Sequence, residues 1–281
     1  MTTIPVEVVV VCRVTAAAGP LVLADACRRA GARVRILRPA ELLGEARDPA
    51  ARRVLVMRLP SGTPSDDLLA LQGFEDQGAA IVNRPSRLLR VQDKAASLTA
   101  LAAADLPVVE TLVVRRDGPE PDLARLPGER FVVKPIHGAS GRGVTVGLSA
   151  SQALKRARAF ADLSGPALVQ PFLGGGIDRR AFVIEGEVVA SMQRTPHASG
   201  GRGNAFQGAR VEAWHPDDEE RQRAVTAARV LGLDVAGVDL LADGRILEVN
   251  GCPGLDAIAQ ASGRDVAADL ADFALRRAAL R

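Results

Sequence analysis

The first 85 residues alternate short apolar segments with helical ones, and this alternation limits the possible folds more than any other feature of the chain. Residues 6–14 form an almost unbroken run of β-branched side chains, which is typical of a strand buried on both faces. The same reasoning predicts strands at residues 34–37, 54–57 and 80–82, and helices at residues 20–32 and 66–77. Strands that alternate with helices favour an open parallel sheet covered by helices, which is an α/β arrangement.

Several classes of protein are disfavoured by the composition. Residues 15–19, after the first predicted strand, read Thr-Ala-Ala-Ala-Gly and do not match the GxGxxG dinucleotide loop. The formal charge is +3, acidic residues are interspersed among the basic ones, and aromatic residues make up 3% of the chain, so a nucleic-acid partner is not expected. No apolar run reaches the roughly 18 residues of a membrane-spanning helix.

The expected location is the cytoplasm. The N-terminal residues lack the charged region and apolar core of a secretory signal. Cys12, Cys27 and Cys252 are widely spaced and form no CxxC pair, so neither a disulfide framework nor a zinc site is indicated.

The rest of the chain mixes helices with segments typical of antiparallel strands. Helices are predicted at residues 85–104, 151–163, 217–231 and 266–279, the second of them capped by Ser149. Single strands are predicted at residues 108–114, 131–134, 144–147 and 167–170, and hairpins at residues 180–192 and 235–249.

A lysine and a glycine-rich loop separate two of these strands. Residues 134–143 read Lys-Pro-Ile-His-Gly-Ala-Ser-Gly-Arg-Gly. Glycine permits a positive φ and a close approach of the main chain to a ligand, so N–H groups of such a loop can bind phosphate oxygens. The loop matches neither the Walker nor the Rossmann pattern. Taken alone, it is equally consistent with a plain glycine-rich hairpin beside an exposed lysine.

The second predicted hairpin carries three polar residues on one face. Asp239 lies on its first strand, and Glu248 and Asn250 lie two apart on its second strand. Carboxylate and amide oxygens are the donors that Mg²⁺ prefers. The alternative is an exposed polar face, but the strands are otherwise apolar, which favours a cation site.

Lysine is rare, which makes its positions informative. Of 36 basic residues only Lys94, Lys134 and Lys155 are lysine. Lys94 follows Asp93, and Arg202 lies in a glycine-rich stretch beside Asn204. Each alone is more simply a surface cation. Together with Lys134, Lys94 and Arg202 would neutralise a triphosphate and an anionic transition state.

The ordered set of motifs resembles the ATP-grasp ligases, and most closely the RimK-like carboxylate–amine ligases that include the LysX-type enzymes. The resemblance covers roughly residues 80–281 and rests on seven segments in family order: residues 91–94, 131–143, 168–172, 178–180, 202–204, 236–239 and 247–255. It implies an α/β (α+β) ATP-grasp fold. The implied domains are an N-terminal open parallel α/β domain (1–85), a central subdomain with the glycine-rich loop (86–170) and a C-terminal subdomain with the metal-binding hairpin (171–281).

The resemblance also implies roles for individual residues. Lys94 and Lys134 match the two lysines that bind ATP phosphates, and Arg202 matches the arginine that steadies the transferred phosphoryl group. Arg180 matches a substrate- or phosphate-side arginine, and Asp178 an acidic residue near the ribose. The remaining implied ATP contacts are loop and linker residues: Gly138, Ser140, Gly141, Gly143, Gln170, Pro171, Phe172 and Leu173. The implied ligands of Mg²⁺ (or Mn²⁺) are Asp239, Glu248 and Asn250.

Substrate contacts are expected at the N-terminal sheet and in the glycine-rich stretch. Arg13 and Arg58 each follow a predicted parallel strand, where ligands gather in open α/β sheets, so both are candidate carboxylate anchors together with Asn204. Each arginine alone is more simply a surface residue of an arginine-rich chain.

The expected activity is ATP-dependent amide formation between a carboxylate and an amine through an acyl phosphate. Glutamate is the expected substrate, joined to a small molecule, a cofactor precursor or a peptide terminus, and the resemblance allows a homo-oligomer. Two departures from the family pattern are Pro171, in place of an acidic residue, and residues 206–209, which indicate a different substrate. The alternatives are another ATP-grasp ligase, LysX-like or dipeptide-forming, and a non-catalytic ATP-binding regulator.

Overall fold

A computed structural model describes residues 6–45, 52–138, 141–196 and 209–280 of the protein. Residues 7–82 contain a parallel sheet with strand order β2-β1-β3-β4. Its elements are β1 (Glu7–Val11), α1 (Ala18–Arg29), β2 (Arg33–Leu37), α2 (Pro39–Leu43), β3 (Arg53–Met57), α3 (Ser65–Asp76) and β4 (Ala80–Val82). The central strands β1 and β3 are buried along almost their whole length, which is why their apolar runs are nearly unbroken. The predicted open parallel sheet is confirmed.

The predicted helix at residues 85–104 is wrong as a single element. It is divided into α4 (Pro85–Gln92) and α5 (Lys94–Ala102). Asp93 between them has an extended backbone, and its side chain accepts a hydrogen bond from the Ala96 amide as the N-cap of α5. Aspartate competes well for this capping position, so a helical pattern that contains it can break there.

The middle of the chain forms an antiparallel sheet with strand order β5-β8-β6-β7. Its elements are β5 (Leu112–Val114), β6 (Phe131–Pro135), β7 (Thr145–Leu148), α6 (Ala150–Ser164) and β8 (Ala167–Pro171). The strand predicted at residues 108–114 is shorter than expected. Val108 forms a separate parallel bridge with Ile246, so this segment is shared between two sheets.

The C-terminal part forms a second antiparallel sheet with strand order β11-β10-β9-β12-β13. Its elements are β9 (Asp178–Ile184), β10 (Glu187–Thr195), β11 (Arg210–Ala213), α7 (Asp218–Leu231), β12 (Val235–Leu240), β13 (Ile246–Asn250), α8 (Asp256–Ser262) and α9 (Val266–Ala279). Both predicted hairpins are present. The short elements α2, β11 and α8 were not predicted.

Three hydrophobic clusters explain how the sheets are held. One lies under the middle sheet and α6, and it includes Phe131 and Ala157. The other two each combine side chains of the parallel sheet with side chains of the C-terminal sheet, and α9 contributes Phe273 to one of them. The parallel and C-terminal sheets therefore share their cores, whereas the middle sheet has a core of its own. Among the described residues, no helix is long and apolar enough to cross a membrane.

Candidate active site

A cavity of about 610 Å³ lies where the three sheets meet, and each sheet contributes to its wall. Thirteen of the residues predicted from the sequence line it: Arg13, Arg58, Lys134, Gly141, Gln170, Pro171, Phe172, Leu173, Asp178, Arg180, Asp239, Glu248 and Asn250. Lys94, Gly138 and Gly143 do not line it. Ser140, Arg202, Asn204 and residues 206–208 lie outside the described residues.

The three candidate metal ligands, Asp239, Glu248 and Asn250, lie on the β12–β13 hairpin. Asp239 lies directly opposite Glu248 in the antiparallel register, and Asn250 pairs with Gly237 two positions along the strands. The Asn250 amide nitrogen donates to Glu248 Oε1 at 3.1 Å, and its oxygen accepts from Arg180 Nη2 at 3.1 Å. The hairpin thus brings two carboxylates and one amide, all hard oxygen donors, to a single face.

Two arginines hold Asp239 in its charged form. Arg180 donates to both of its carboxylate oxygens, at 2.6 and 2.7 Å, and Arg194 Nη2 lies 2.9 Å from Oδ2. Burial of Asp239 favours the neutral acid, but the guanidinium groups outweigh it and keep the pKa of this carboxyl below its usual value.

Arg194 is a site residue that the sequence analysis missed. Its side chain is buried, and it bridges Asp239 to Asp178, which lies opposite it in the β9–β10 register. Its pKa is raised: burial opposes the charge, but the carboxylates of Asp239 and Asp178 more than compensate. The signal was available, since extending the second strand of the predicted hairpin past Met192 places Arg194 beside Asp178.

Lys134 lies at the junction between the middle and C-terminal sheets. It is only 6% exposed, and its Nζ is 3.7 Å from Glu248 Oε2. Burial lowers the pKa of this ammonium, the Glu248 carboxylate opposes that effect, and the nearby charge of Lys94 adds to it. The Asp239 carboxylate also opposes the effect of burial, and Lys134 lines the cavity, where a phosphate group could reach it.

Lys94 lies behind the cavity wall and fastens the glycine-rich loop. Its buried Nζ donates to the carbonyl of Gly138 at 2.7 Å and to that of Ile136 at 3.3 Å. The loop itself requires glycine at Gly143, where φ is +76° and an added Cβ would lie 3.3 Å from Pro135 and Phe160.

The linker between the two antiparallel sheets passes along the cavity. Gln170 is buried and donates to the Thr111 hydroxyl at 2.8 Å, and the Phe172 amide donates to the Arg130 carbonyl at 2.7 Å. Pro171 has no N–H to offer. The main-chain N–H of Leu173 has no acceptor in the described part of the chain.

The two arginines expected near substrate differ in their surroundings. Arg58 is buried, and its Nη2 donates to the Pro253 carbonyl at 2.7 Å. Arg13 is exposed, and its Nε lies 3.3 Å from an oxygen of Asp67.

Known proteins resemble this chain over most of its length. Residues 91–274 match the model of the RimK-like ATP-grasp domain. A protein of Haemophilus influenzae named probable alpha-L-glutamate ligase is 36% identical over 210 residues, which cover 72% of this chain and 69% of that protein. A protein of the same name from Thioalkalivibrio sulfidiphilus is 38% identical over 210 residues, with the same coverage of both chains.

Solved structures share the fold at lower identity. The ATP-grasp ligase PsnB, solved with a phosphomimetic variant of its minimal precursor, Mg and ADP, superposes with a TM-score of 0.73 at 19% identity, covering 98% of this chain and all of PsnB. D-alanine–D-alanine ligase from Bacillus anthracis, solved with ATP, gives a TM-score of 0.74 at 14% identity, covering 99% of this chain and 98% of that one. The ATP-grasp fold and the resemblance inferred from the motifs are confirmed: the chain belongs to the RimK-like ATP-grasp family.

Proposed function

We propose that this protein is an ATP-dependent carboxylate–amine ligase, an α-L-glutamate ligase that forms an amide bond and releases ADP and phosphate. The observation that carries the proposal is the meeting of Lys134 with Asp239, Glu248 and Asn250 in the cavity between the sheets. The names of the relatives in the same family supply glutamate as the amino-acid substrate.

The residues of the hairpin fit a divalent cation. Asp239, Glu248 and Asn250 would hold Mg²⁺ (or Mn²⁺), because they offer hard oxygen donors and Asp239 is kept ionised by its arginines. When bound, the ion would supply positive charge that neutralises the phosphate groups of ATP.

The protein's own residues would align the nucleotide. Lys134 and main-chain N–H groups near Gly141 would bind phosphate oxygens, while Lys94 holds the loop carbonyls in place. The N–H of Leu173 is the linker donor for the adenine, and Asp178 is the acidic group for the ribose side. Arg180 and Arg202 are the proposed cations for the transferred phosphoryl group.

The reaction would proceed in two steps. A substrate carboxylate oxygen attacks the γ-phosphorus, the bond to the bridging oxygen breaks, and ADP leaves an acyl phosphate behind. The amine of glutamate then attacks the activated carbonyl carbon, loses a proton, and expels phosphate as the amide forms. The enzyme contributes mainly alignment and charge neutralisation, since both steps move negative charge between oxygens.

The domain division at residues 85/86 and 170/171 is part of this proposal, with the two later subdomains enclosing ATP. The proposed partners are small carboxylate and amine substrates. We also propose a cytoplasmic enzyme, because Cys12, Cys27 and Cys252 are free thiols.

Purified protein incubated with Mg²⁺, ATP and L-glutamate, across a panel of carboxylate acceptors, tests the proposal. We expect glutamate-dependent ADP release and a product heavier than the acceptor by one glutamate residue. Product with lysine or alanine but not glutamate would favour another ATP-grasp ligase. Tight nucleotide binding without any product would favour a regulator.

A further inference from the structure

Arg58 stands out because it is a buried cation that has no counter-ion among the described residues. It is 7% exposed, it follows β3, and its Nε is buried without a hydrogen-bond partner in the described structure. Its one described acceptor is the neutral carbonyl of Pro253. No aspartate or glutamate in the described ranges forms an ion pair with it. A buried charge without a partner is costly, so a counter-ion is expected from outside the chain.

The neighbouring thiol does not supply that charge. Cys12 lines the same part of the cavity, and burial is the main reason that its pKa is raised to about 11. It is therefore a neutral thiol near pH 7.

A second, independent feature faces the same space. Helix α1 begins beside Arg58: a Cβ added at Gly19 would lie 3.8 Å from Arg58 Nη2. The N-terminus of this twelve-residue helix has no side-chain cap at Ala17 and no acidic residue in its first turn. The partial positive charge of a helix N-terminus thus adjoins a buried guanidinium, and the two repel unless an anion lies between them.

We infer that Arg58 and the N-terminus of α1 form a carboxylate-binding subsite of the cavity, and that this subsite holds a carboxylate of L-glutamate. The inference rests on the proposed function for the identity of the amino acid. The planar guanidinium fork suits a carboxylate. Lys134, where phosphate is proposed to bind, belongs to the middle sheet, whereas Arg58 follows a strand of the first sheet. Of the two arginines expected from the sequence, Arg13 is the weaker anchor, because Asp67 already compensates its charge.

Three variants test the subsite: Arg58→Met, Arg58→Lys and the matched control Arg38→Met. Arg38 also follows a parallel strand of the first sheet, but it is exposed and paired with Glu41. L-glutamate affinity is measured calorimetrically at saturating Mg²⁺ and AMP-PNP. We expect glutamate affinity 10- to 100-fold weaker in Arg58→Met, an intermediate loss in Arg58→Lys, and a change of less than twofold in Arg38→Met. AMP-PNP affinity, titrated separately, should stay within twofold in all three.

A role in folding predicts a different pattern. If Arg58 serves a ligand, Arg58→Met should unfold within a few degrees of wild type in ligand-free buffer and lose only the stabilisation by glutamate. A large loss of stability without ligand, unchanged glutamate affinity, or an equal loss in Arg38→Met would overturn the inference. The inference would also be overturned if inorganic phosphate, and not L-glutamate, stabilised wild type against unfolding and Arg58→Met lost that stabilisation. The subsite would then bind phosphate.

The ligase assay on wild type separates this inference from the proposed function. Arg58-dependent glutamate binding without product would retain the subsite and reject the ligase. Glutamate ligation with unchanged kinetics in Arg58→Met would retain the ligase and reject the subsite.

Discussion

Arg194 illustrates what a single residue contributes to this site. Its charge is the link between Asp178 and Asp239, and both carboxylates are buried. Removing one member of a buried ion pair leaves an uncompensated charge, which typically costs about 3 kcal/mol or more.

Arg194→Met should therefore lower the free energy of unfolding by about 3 kcal/mol and reduce kcat/KM by at least tenfold. Urea unfolding and steady-state assays check the two effects. Arg210→Met is the matched control on the neighbouring strand β11, because Arg210 is exposed and its described ion pair, with Glu212, lies at the surface. Equal stability of the two variants would show that the buried ion pairs of Arg194 do not contribute to the free energy of unfolding.

Cys27 predicts how stability depends on alkaline pH. Burial raises the pKa of this thiol from 9.0 to about 12. Because the folded state holds the proton more tightly, the stabilisation is fully present below pH 9 and is lost as pH rises toward 12. The chain has no tyrosine and only three lysines, so few other groups titrate in this range.

Between pH 8 and pH 10.5 the folded protein should lose about 2 kcal/mol through Cys27. Urea unfolding at both pH values measures this loss, and in Cys27→Ala the loss should be smaller by that amount. The comparison is made within each variant, so the cavity left by the substitution cancels. An identical pH dependence in the two proteins would contradict the assigned pKa.

At the scale of elements, Asn83 connects the end of the first sheet to the β12–β13 hairpin through hydrogen bonds. It is 2% exposed, and its amide nitrogen donates to the carbonyls of Val235 at 2.6 Å and Gly251 at 2.8 Å. Its oxygen accepts from the amides of Asp234 and Val235. One side chain thus satisfies the main chain at the start of β12 and just beyond Asn250.

Asn83→Ala leaves these buried main-chain groups without partners, so we expect a loss of about 3 kcal/mol in the free energy of unfolding, together with reduced activity. Ser86→Ala is the comparison, because Ser86 bonds to Glu75 in the same region but is only half-buried. Its loss should be about 1 kcal/mol. Chemical unfolding of both variants measures the two losses. Comparable losses would argue against a special role of Asn83 in connecting the first sheet to the hairpin.

The sequence predicted elements well wherever a side-chain pattern extended over several residues. The β-branched run of β1 and the amphipathic helix α9 are examples, and the structure places α9 at the predicted residues 266–279. The failures occurred where local signals competed: Asp93 was read as helical although it caps α5, and the segment beginning at Val108 pairs first with Ile246 of another sheet. Pairing between distant strands has no local signature.

The same limit applies to the site. Asp239, Glu248 and Asn250 could be grouped from sequence because a hairpin fixes their register. Arg194 was missed because its place beside Asp178 depends on how far β10 extends past Met192. Arg58 could be named from its position after a predicted strand, but its burial and its hydrogen bond to Pro253, 195 positions away in the chain, required the structure.

For the whole molecule, the cavity follows from how the cores are divided. The parallel and C-terminal sheets share two clusters, and the middle sheet is built on its own. The cavity wall opposite the β12–β13 hairpin therefore belongs to the separately packed middle sheet. Lys134 extends from this sheet to within 3.7 Å of Glu248. Substrates bound there would contact all three sheets, which is consistent with a ligase that brings three reactants together.

The most direct test of this account is glutamate-dependent ADP formation by wild type, Lys134→Arg and Lys155→Arg. Lys155 lies exposed on α6 and provides the same substitution away from the cavity. The account predicts activity in wild type and Lys155→Arg and a loss of at least 100-fold in Lys134→Arg, because a guanidinium does not replace a compact ammonium in the buried position beside Glu248. Equal activity of all three proteins, or no glutamate-dependent ADP from wild type, would contradict it.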